Sequence, residues 1–443
     1  MGIKKTLYAH AAMLFAIFFA AGCATYKAPG ITVSQLPAGT QAAPEGGYTW
    51  QQLASLVIAS SPDYAAILSD ARTEYYRYKA RTDLNDLQLS LEYSYLPDER
   101  IQSQYGIGIR FSIPNPFVDK QIVRTGEAAR REIETGTEVL KYEIASMIYK
   151  LVHEILIGER KLDVLLSREQ FMSEWADYMQ MRYAARMATQ ADILSFDIQR
   201  LRLKTDVQEA RADLQAARKS LEVLVQIPPG QMVLNPFPSD WKALPEFLDD
   251  EQGLIEDAFS RSAELAGANA AYEKACAIYD TARARQIPWF NSIRLSYAPR
   301  ISEVINYNSS GALMPPTQKQ SNEWMVGLNI DLPVFAWFSS EKKMAASGIE
   351  TASLQVAGIQ QRIRSDITVI VADLRNTLSI LDDYQSAFDS IPEPTRETIP
   401  DTESYYKLMD ARFSISEYSL KTELQCANIY SKLIKITGGW EQD

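Results

Sequence analysis

The chain has 443 residues, a formal net charge of −11, 46% hydrophobic residues, three cysteines and two histidines. An acidic chain of this kind is a poor partner for nucleic acid, and two histidines leave little material for a histidine-based catalytic or metal centre. Its length would suit two or three domains, but one order of elements occurs twice and argues for a single architecture in two halves.

Lys4 and Lys5 precede an apolar run from Ala11 to Ala21 that closes on Ala20-Ala21-Gly22-Cys23. A charged start, a short apolar core and small residues before a break read as a bacterial export signal over 1–22, too short to span a membrane as a helix. The residues before Cys23 resemble a lipobox, with Ala20 where leucine is usual. That resemblance implies that Cys23 is the lipidated first residue of the mature chain, carrying acyl groups such as palmitate, and Ala24 in place of aspartate favours the outer membrane. Loss of Lys4 and Lys5 takes the net charge to −13. Residues 23–49, rich in Pro, Gly, Ala and Thr between Ile31 and Gly47, read as an extended tether.

The first half, 50–230, opens with helical sequence from Trp50 to Ser60, a break at Ser61-Pro62-Asp63, and a second helix to about Arg81. Two strands follow, over 87–96 and 105–113. In the first, Leu87, Leu89, Leu91, Tyr93 and Tyr95 alternate with polar residues; in the second, Tyr105, Ile107, Ile109, Phe111 and Ile113 alternate with Gly106, Gly108, Arg110 and Ser112. Strands of about nine residues with period two are long enough to cross a bilayer at a tilt. From Val118 to about Arg186 there is no proline, and Ile144, Met147, Ile148, Leu151, Ile155 and Leu162 recur at helical spacings, which predicts a very long helix. A returning helix, Leu194 to Gln226, stops at Ile227-Pro228-Pro229-Gly230.

After a proline-rich connector, 231–249, the order begins again over 250–439. Leu254 to about Arg285 reads as one helix, and strands are expected over 292–298 and 323–332 around a long polar loop from Ala298 to Glu323. Ser339 to Ser390 reads as an outgoing helix, and Leu420 to Ile436 closes the half at Thr437-Gly438-Gly439, with 440–443 as a tail. Four strands cannot close a barrel, and open sheet edges are not tolerated in lipid. Either several chains share one barrel or the hairpins are soluble.

Catalytic chemistry is hard to find. His10 leaves with the signal, and His153 has no ligand partner at metal-site spacing. No Gly-rich phosphate loop, nucleophile elbow or Cys/His cluster occurs, so neither an enzyme nor a cofactor is expected. Cys276 and Cys426 read as buried thiols rather than a disulfide.

Ser112-Ile113-Pro114-Asn115-Pro116-Phe117 and Asp331-Leu332-Pro333-Val334-Phe335, each ending a second strand, and the tip-like run Tyr183-Ala184-Ala185-Arg186-Met187-Ala188-Thr189-Gln190-Ala191-Asp192-Ile193-Leu194 resemble the TolC-like outer-membrane efflux family. The close at Leu224-Val225-Gln226-Ile227-Pro228-Pro229-Gly230 is most similar to the heavy-metal branch. The resemblance covers nearly all of the chain after Cys23. It implies a mainly α protein with a small β part and two structural repeats. In the homotrimer each chain would give four strands to a 12-stranded barrel in outer-membrane lipid, continuous with an α-helical barrel in the periplasm. It further implies a passive conduit for metal cations or drugs, joined to an inner-membrane transporter through a periplasmic adaptor protein. A type I secretion duct and a lipid-anchored periplasmic coiled-coil scaffold are the alternatives.

The halves differ at the helical tips. The first tip falls at Thr189, Asp192 and Ile193. In the second half, Arg412-Phe413-Ser414-Ile415-Ser416-Glu417-Tyr418 is most similar to the family's tip, with Pro392, Pro394 and Pro400 kinking the outgoing helix; the other reading puts the tip at Ile399-Pro400-Asp401-Thr402. Thr189, Asp192, Ile193, Asp401, Ser416 and Glu417 are therefore the candidate docking and aperture residues. For Asp192 capping a helix before an apolar run is the stronger reading.

Overall fold

The computed structural model describes residues 47–83, 88–94, 101–228, 232–235, 248–304, 309–312, 314–315, 317–332, 340–391 and 401–438, all within one compact unit, Ala42–Asp443. The expected export signal, Cys23, nearly all of the tether, most of the connector and the tail lie outside the described residues. The tether ends earlier than 49, because Tyr48 is buried. Its N–H donates to the Val233 carbonyl at 2.8 Å and its carbonyl accepts from Asn235 N–H at 3.0 Å. Gly47 permits this approach: its φ is +90°, and a Cβ there would stand 2.8 Å from Asn235 N.

The first half consists of α1 (Trp50–Ser60), α2 (Pro62–Lys79), β1 (Gln88–Ser94), β2 (Ile101–Ser112), α3 (Pro116–Ala184) and α4 (Gln190–Val225). The second consists of α5 (Glu251–Arg261), α6 (Ala263–Ala284), β3 (Trp289–Val304), β4 (Thr317–Asp331), α7 (Ser340–Ser390) and α8 (Thr402–Thr437). Each half thus runs through a broken helix, a hairpin, a long outgoing helix and a returning one. The expected single helix from Leu254 to Arg285 is broken at Ser262, whose Oγ accepts from Leu265 N–H at 3.2 Å. Ser61 Oγ caps α2 in the same way, accepting from Tyr64 N–H at 3.4 Å. A serine cap alone starts the new helix in the second half; in the first, Pro62 at the initial helical position advertises it.

The four strands form one antiparallel sheet in chain order, β1-β2-β3-β4, with β1 and β4 as its edges. The register aligns the apolar positions in rows: Leu89, Ile109, Leu295 and Val326 lie across from one another, as do Leu91, Ile107, Tyr297 and Trp324, and Phe111, Ile293 and Leu328. A shift between Phe290 and Ser292 keeps Phe290, paired with Ile330, on this same face. β3 and β4 run well past the expected 292–298 and 323–332, pairing from Trp289↔Asp331 to Val304↔Thr317. Their outer ends lack apolar alternation, and backbone hydrogen bonding carries the ribbon on without it.

α3 begins where Asn115 accepts from the N–H groups of Phe117 at 3.0 Å and Val118 at 3.4 Å, with Pro116 at its first position. At about 1.5 Å per residue its 69 residues extend about 104 Å. It packs against α2, α6, α8 and α4. Among the described residues the buried apolar side chains gather in three clusters along the helices. Leu53, Ile148, Val152 and Leu221 join α1, α3 and α4. Leu254, Ile367, Leu374 and Leu433 join α5, α7 and α8. Arg124–Asp280 at 3.1 Å and Lys274–Glu132 at 2.9 Å tie α3 to α6, and Lys435–Glu143 at 2.8 Å ties it to α8. Exposed pairs contribute little energy each, but they discriminate against slipped helix registers. Cys276 and Cys426 are both free thiols, the second buried.

Candidate functional site at the sheet and the helical tips

Two regions are built for something other than internal stability. The first is the apolar face of the sheet. Leu91 is 75% exposed, Val326 74%, Trp324 66% and Leu89 58%, and the central-strand residues Ile107, Ile109, Phe111, Ile293 and Leu295 are exposed as well. The opposite face carries Ser90, Gly108, Ser292, Ser296 and Gly327, small residues of which Gly108, Ser292 and Ser296 are buried. From Trp324 of β4 to Leu332, the residue just past its end, the apolar positions run about 27 Å at about 3.4 Å per residue. At a tilt of about 40° this is roughly 20 Å of height, close to the apolar band of about 25 Å on a spanning barrel. Tyr297 and Trp324, with ring centroids 4.7 Å apart, stand at one margin of that band. At the other, Trp289 meets Phe117 edge-on at 5.8 Å, and its indole N–H donates to the Pro114 carbonyl at 3.1 Å. Among the described residues no helix is long and apolar enough to cross a membrane.

The second region is the pair of helical turns at the far end. α3 closes with Arg186 N–H donating to Tyr183 O at 2.9 Å and Met187 N–H to Arg182 O at 2.8 Å, a Schellman closure. Its left-handed position, φ +61°, is taken by Arg186, where glycine would be unstrained. α4 then starts with a capping box. Thr189 Oγ1 accepts from Asp192 N–H at 3.3 Å, while the Asp192 carboxylate accepts from Thr189 N–H at 2.7 Å and from its hydroxyl at 2.8 Å. These bonds from Thr189, aided by the charge of Arg182, hold the Asp192 carboxyl below its ordinary range. Ile193 is half-buried behind them.

The second tip departs from the expectation at 413–417. α8 is unbroken from Thr402 to Thr437, and α7 ends at Ser390, so the turn lies between those ends. Asp401 caps α8, its carboxylate accepting from Glu403 N–H at 3.3 Å, from Ser404 N–H at 3.2 Å and from the Ser404 hydroxyl. Ser404, through its hydroxyl and backbone, is the main cause of the depressed Asp401 pKa. Phe413 packs inside the tip against Phe171 at 5.6 Å. Ser416 donates to its own helix, to Arg412 O at 3.0 Å, and Glu417 accepts from Arg168 at 3.1 Å. Neither stands at an end of the helical hairpin.

What joins the tips is a network that the sequence reading did not single out. Arg182 donates to Glu403 at 2.5 Å, and Lys407 pairs with the same carboxylate at 2.9 Å. Lys407 and Arg182 together depress the Glu403 pKa. Higher up, Arg168 holds Asp410 at 2.8 Å and Glu417 at 3.1 Å. Arg412 donates to the Ile391 carbonyl at 2.8 Å and lies 4.3 Å from the Phe388 ring centroid, fastening α8 to the end of α7. Between these sits an aromatic core: Tyr406, almost wholly buried, stacks on Trp175 at 5.1 Å and an interplanar angle of 2°, and Trp175 meets Phe196 of α4 at 5.3 Å. Thr189, Asp192, Asp401 and Glu403 thereby occupy one end of the molecule, with Ser416 and Glu417 farther along it.

An open four-stranded sheet with an apolar outer face, continuous with two long helical hairpins, is the TolC-like fold, and the chain has it. No protein-family model matches the sequence, and no curated protein matches it. Solved structures match at low identity. The chain is similar to CusC, described for the conformational changes accompanying folding and transmembrane channel formation, with a TM-score of 0.63 at 13% identity over 94% of this chain and 98% of that one. It is similar to the outer membrane protein VceC of Vibrio cholerae, with a TM-score of 0.60 at 14% identity over 88% and 96% of the two chains. The open state of the outer membrane channel MtrE of Neisseria gonorrhoeae gives a TM-score of 0.54 at 16% identity over 88% and 89%.

Proposed function

We propose that three copies of this chain close a 12-stranded barrel in the outer membrane and form a passive export conduit through it. One observation carries the reading: a sheet with two free edges presents a continuous apolar face outward and small or polar residues on the other side. In water that face would be an aggregation liability; in lipid both edges must be paired, and three chains in a ring pair them. The helices support the same assembly. α7 leaves Met344, Leu354 and Val369 exposed and α4 leaves Leu194, Leu201 and Val223 exposed, apolar flanks that neighbouring copies would cover.

Export energy comes from an inner-membrane pump, reached through a periplasmic adaptor that grips the end carrying Thr189, Asp192, Ile193 and Asp401. Drugs and metal cations are the cargo classes carried over from the resemblance. Cys23 anchors each chain to the membrane. The chain performs no chemistry of its own and works as a duct.

An epitope inserted after Ser309, between β3 and β4, tests the reading. Labelling on intact cells is the expected result. An epitope that labels only after the outer membrane is broken favours the lipid-anchored periplasmic scaffold.

A further inference from the structure

Four helix ends meet the sheet, and they are basic in a chain that is acidic overall. Within 77–83, 116–124, 280–285 and 340–344 there are nine lysines and arginines against four carboxylates, whereas the whole chain carries a net charge of −11. Contacts between neighbouring helices put these ends at one level. A Cβ at Gly126 of α3 would meet Tyr78 of α2 at 2.8 Å, Arg124 of α3 pairs with Asp280 of α6 at 3.1 Å, and Arg285 at the end of α6 pairs with Glu341 of α7 at 2.6 Å. Phe117, which meets Trp289 at the margin of the apolar face, precedes Lys120 by about 5 Å and Arg124 by about 10 Å along α3, at about 1.5 Å per residue. The basic ends therefore begin directly beneath that margin, at the depth of a headgroup layer, which adds about 5–8 Å to each side of a hydrocarbon core.

The ordinary demands of folding account for only part of this charge. Ion pairing takes Arg77, with Glu74 at 2.7 Å, and Arg124 and Arg285. Among the described residues Lys79, Lys120, Arg283 and Lys343 make no ion pair, and all four are exposed. Cations at a helix C-terminus complement its dipole, which suits Lys79 at the end of α2 and Arg283 at the end of α6. Lys120, Lys342 and Lys343 stand instead near the N-terminal ends of α3 and α7, where the dipole favours the opposite sign. Exposed apolar side chains lie beside the unpaired cations: Phe117, 49% exposed, is one turn before Lys120 on the same face of α3, and Ile287, 42% exposed, is one turn after Arg283. An apolar side chain toward the sheet with a long cationic one beneath it is the arrangement of a membrane interface.

We infer that these four ends form a collar that binds the headgroups of anionic phospholipids, such as phosphatidylglycerol, in the leaflet on the helix side of the membrane. The inference rests on the reading that the sheet stands in lipid. Unpaired ammonium and guanidinium groups at a lipid surface are drawn to its phosphates, each strengthening association about fivefold. Three copies in a ring repeat the set around the barrel. The collar thus fixes how deep the barrel sits and makes anionic lipid its preferred boundary.

The test is quenching of tryptophan fluorescence by brominated lipid, with the full-length protein reconstituted in vesicles of phosphatidylcholine containing a fixed fraction of phosphatidylglycerol. Trp289, against Phe117, stands beside the collar and reports on it. Comparing bromine on phosphatidylglycerol with bromine on an equal fraction of phosphatidylcholine should show a several-fold preference for the anionic lipid at low salt, and the preference should shrink as salt screens it. K79Q, K120Q, R283Q and K343Q together should remove the preference. R202Q, K204Q, R211Q and K219Q, which take as many exposed cations from α4, should leave it in place. Equal quenching by the two lipids in the wild type overturns the inference and leaves the barrel reading intact, as does a preference that survives in the collar variant. Quenching by neither lipid means that the sheet meets no lipid, and it removes the barrel reading and this inference together.

Discussion

Leu295→Arg places a charge in the middle of the apolar face. Leu295 is on a central strand, in the row with Leu89, Ile109 and Val326, with the Phe111–Ile293–Leu328 row on one side and the Tyr297–Trp324 row on the other. In lipid this is close to the midplane, where an arginine costs about 2–4 kcal/mol. Three copies in one barrel would lose about 6–12 kcal/mol together. If the face were solvated, replacing an exposed leucine would change stability by no more than about 0.5 kcal/mol. Asn329→Lys, on the opposite face of β4, is the control and should stay within about 0.5 kcal/mol in either setting. The assay is equilibrium urea unfolding of the protein folded into phospholipid vesicles. Equal midpoints for the two variants would refute the assignment of this face to lipid.

Tyr406→Ala should destabilise the helical end by about 3–5 kcal/mol, the usual cost of removing a large buried aromatic side chain, read as earlier thermal loss of helical circular dichroism. Thr189→Ala removes the cap of α4 and should cost about 0.5–2 kcal/mol, with faster amide exchange confined to the first turn of α4. His153 supplies a pH dependence. It is buried, its Nδ1–H donates to the Tyr149 carbonyl at 2.9 Å, and burial, aided by the nearby Arg160 charge, holds its pKa below the ordinary 6.5. The unfolded chain therefore binds more protons than the folded one as pH falls below about 6.5. Stability that is complete above that pH should decline below it, and His153→Gln should flatten the dependence in melts across pH 5 to 8.

The strands were legible because period two over apolar residues has few other causes, and the register then placed every apolar row on one face. The helices were legible in existence and less so in their breaks. Pro62 announced the first kink; Ser262 makes the matching kink by a cap alone, which a periodicity reading passes over. Of the two positions the sequence offers for the second tip, the one from Arg412 to Tyr418 falls inside α8, because that run has the composition of a tip, while the other lies at the start of α8. Phe413 is in fact a core residue packed on Phe171, and the prolines at 392, 394 and 400 were the better guide to where the helix is interrupted. The Arg182–Glu403 and Arg168–Asp410 links join residues more than two hundred positions apart, so no local pattern could reveal them. Lys79, Lys120, Arg283 and Lys343 were present as four charges among many. Only the contacts between neighbouring helices show that they share one level beside the sheet.

The account stands on three chains closing one conducting barrel. It is tested most directly by determining the subunit mass of the detergent-extracted protein and recording the same preparation in planar bilayers. Complexes of three chains that conduct ions in steady steps are the predicted result. A monomer, or a trimer that stays electrically silent both intact and with the helix caps at the tips removed by Thr189→Ala and Asp401→Ala, would contradict it.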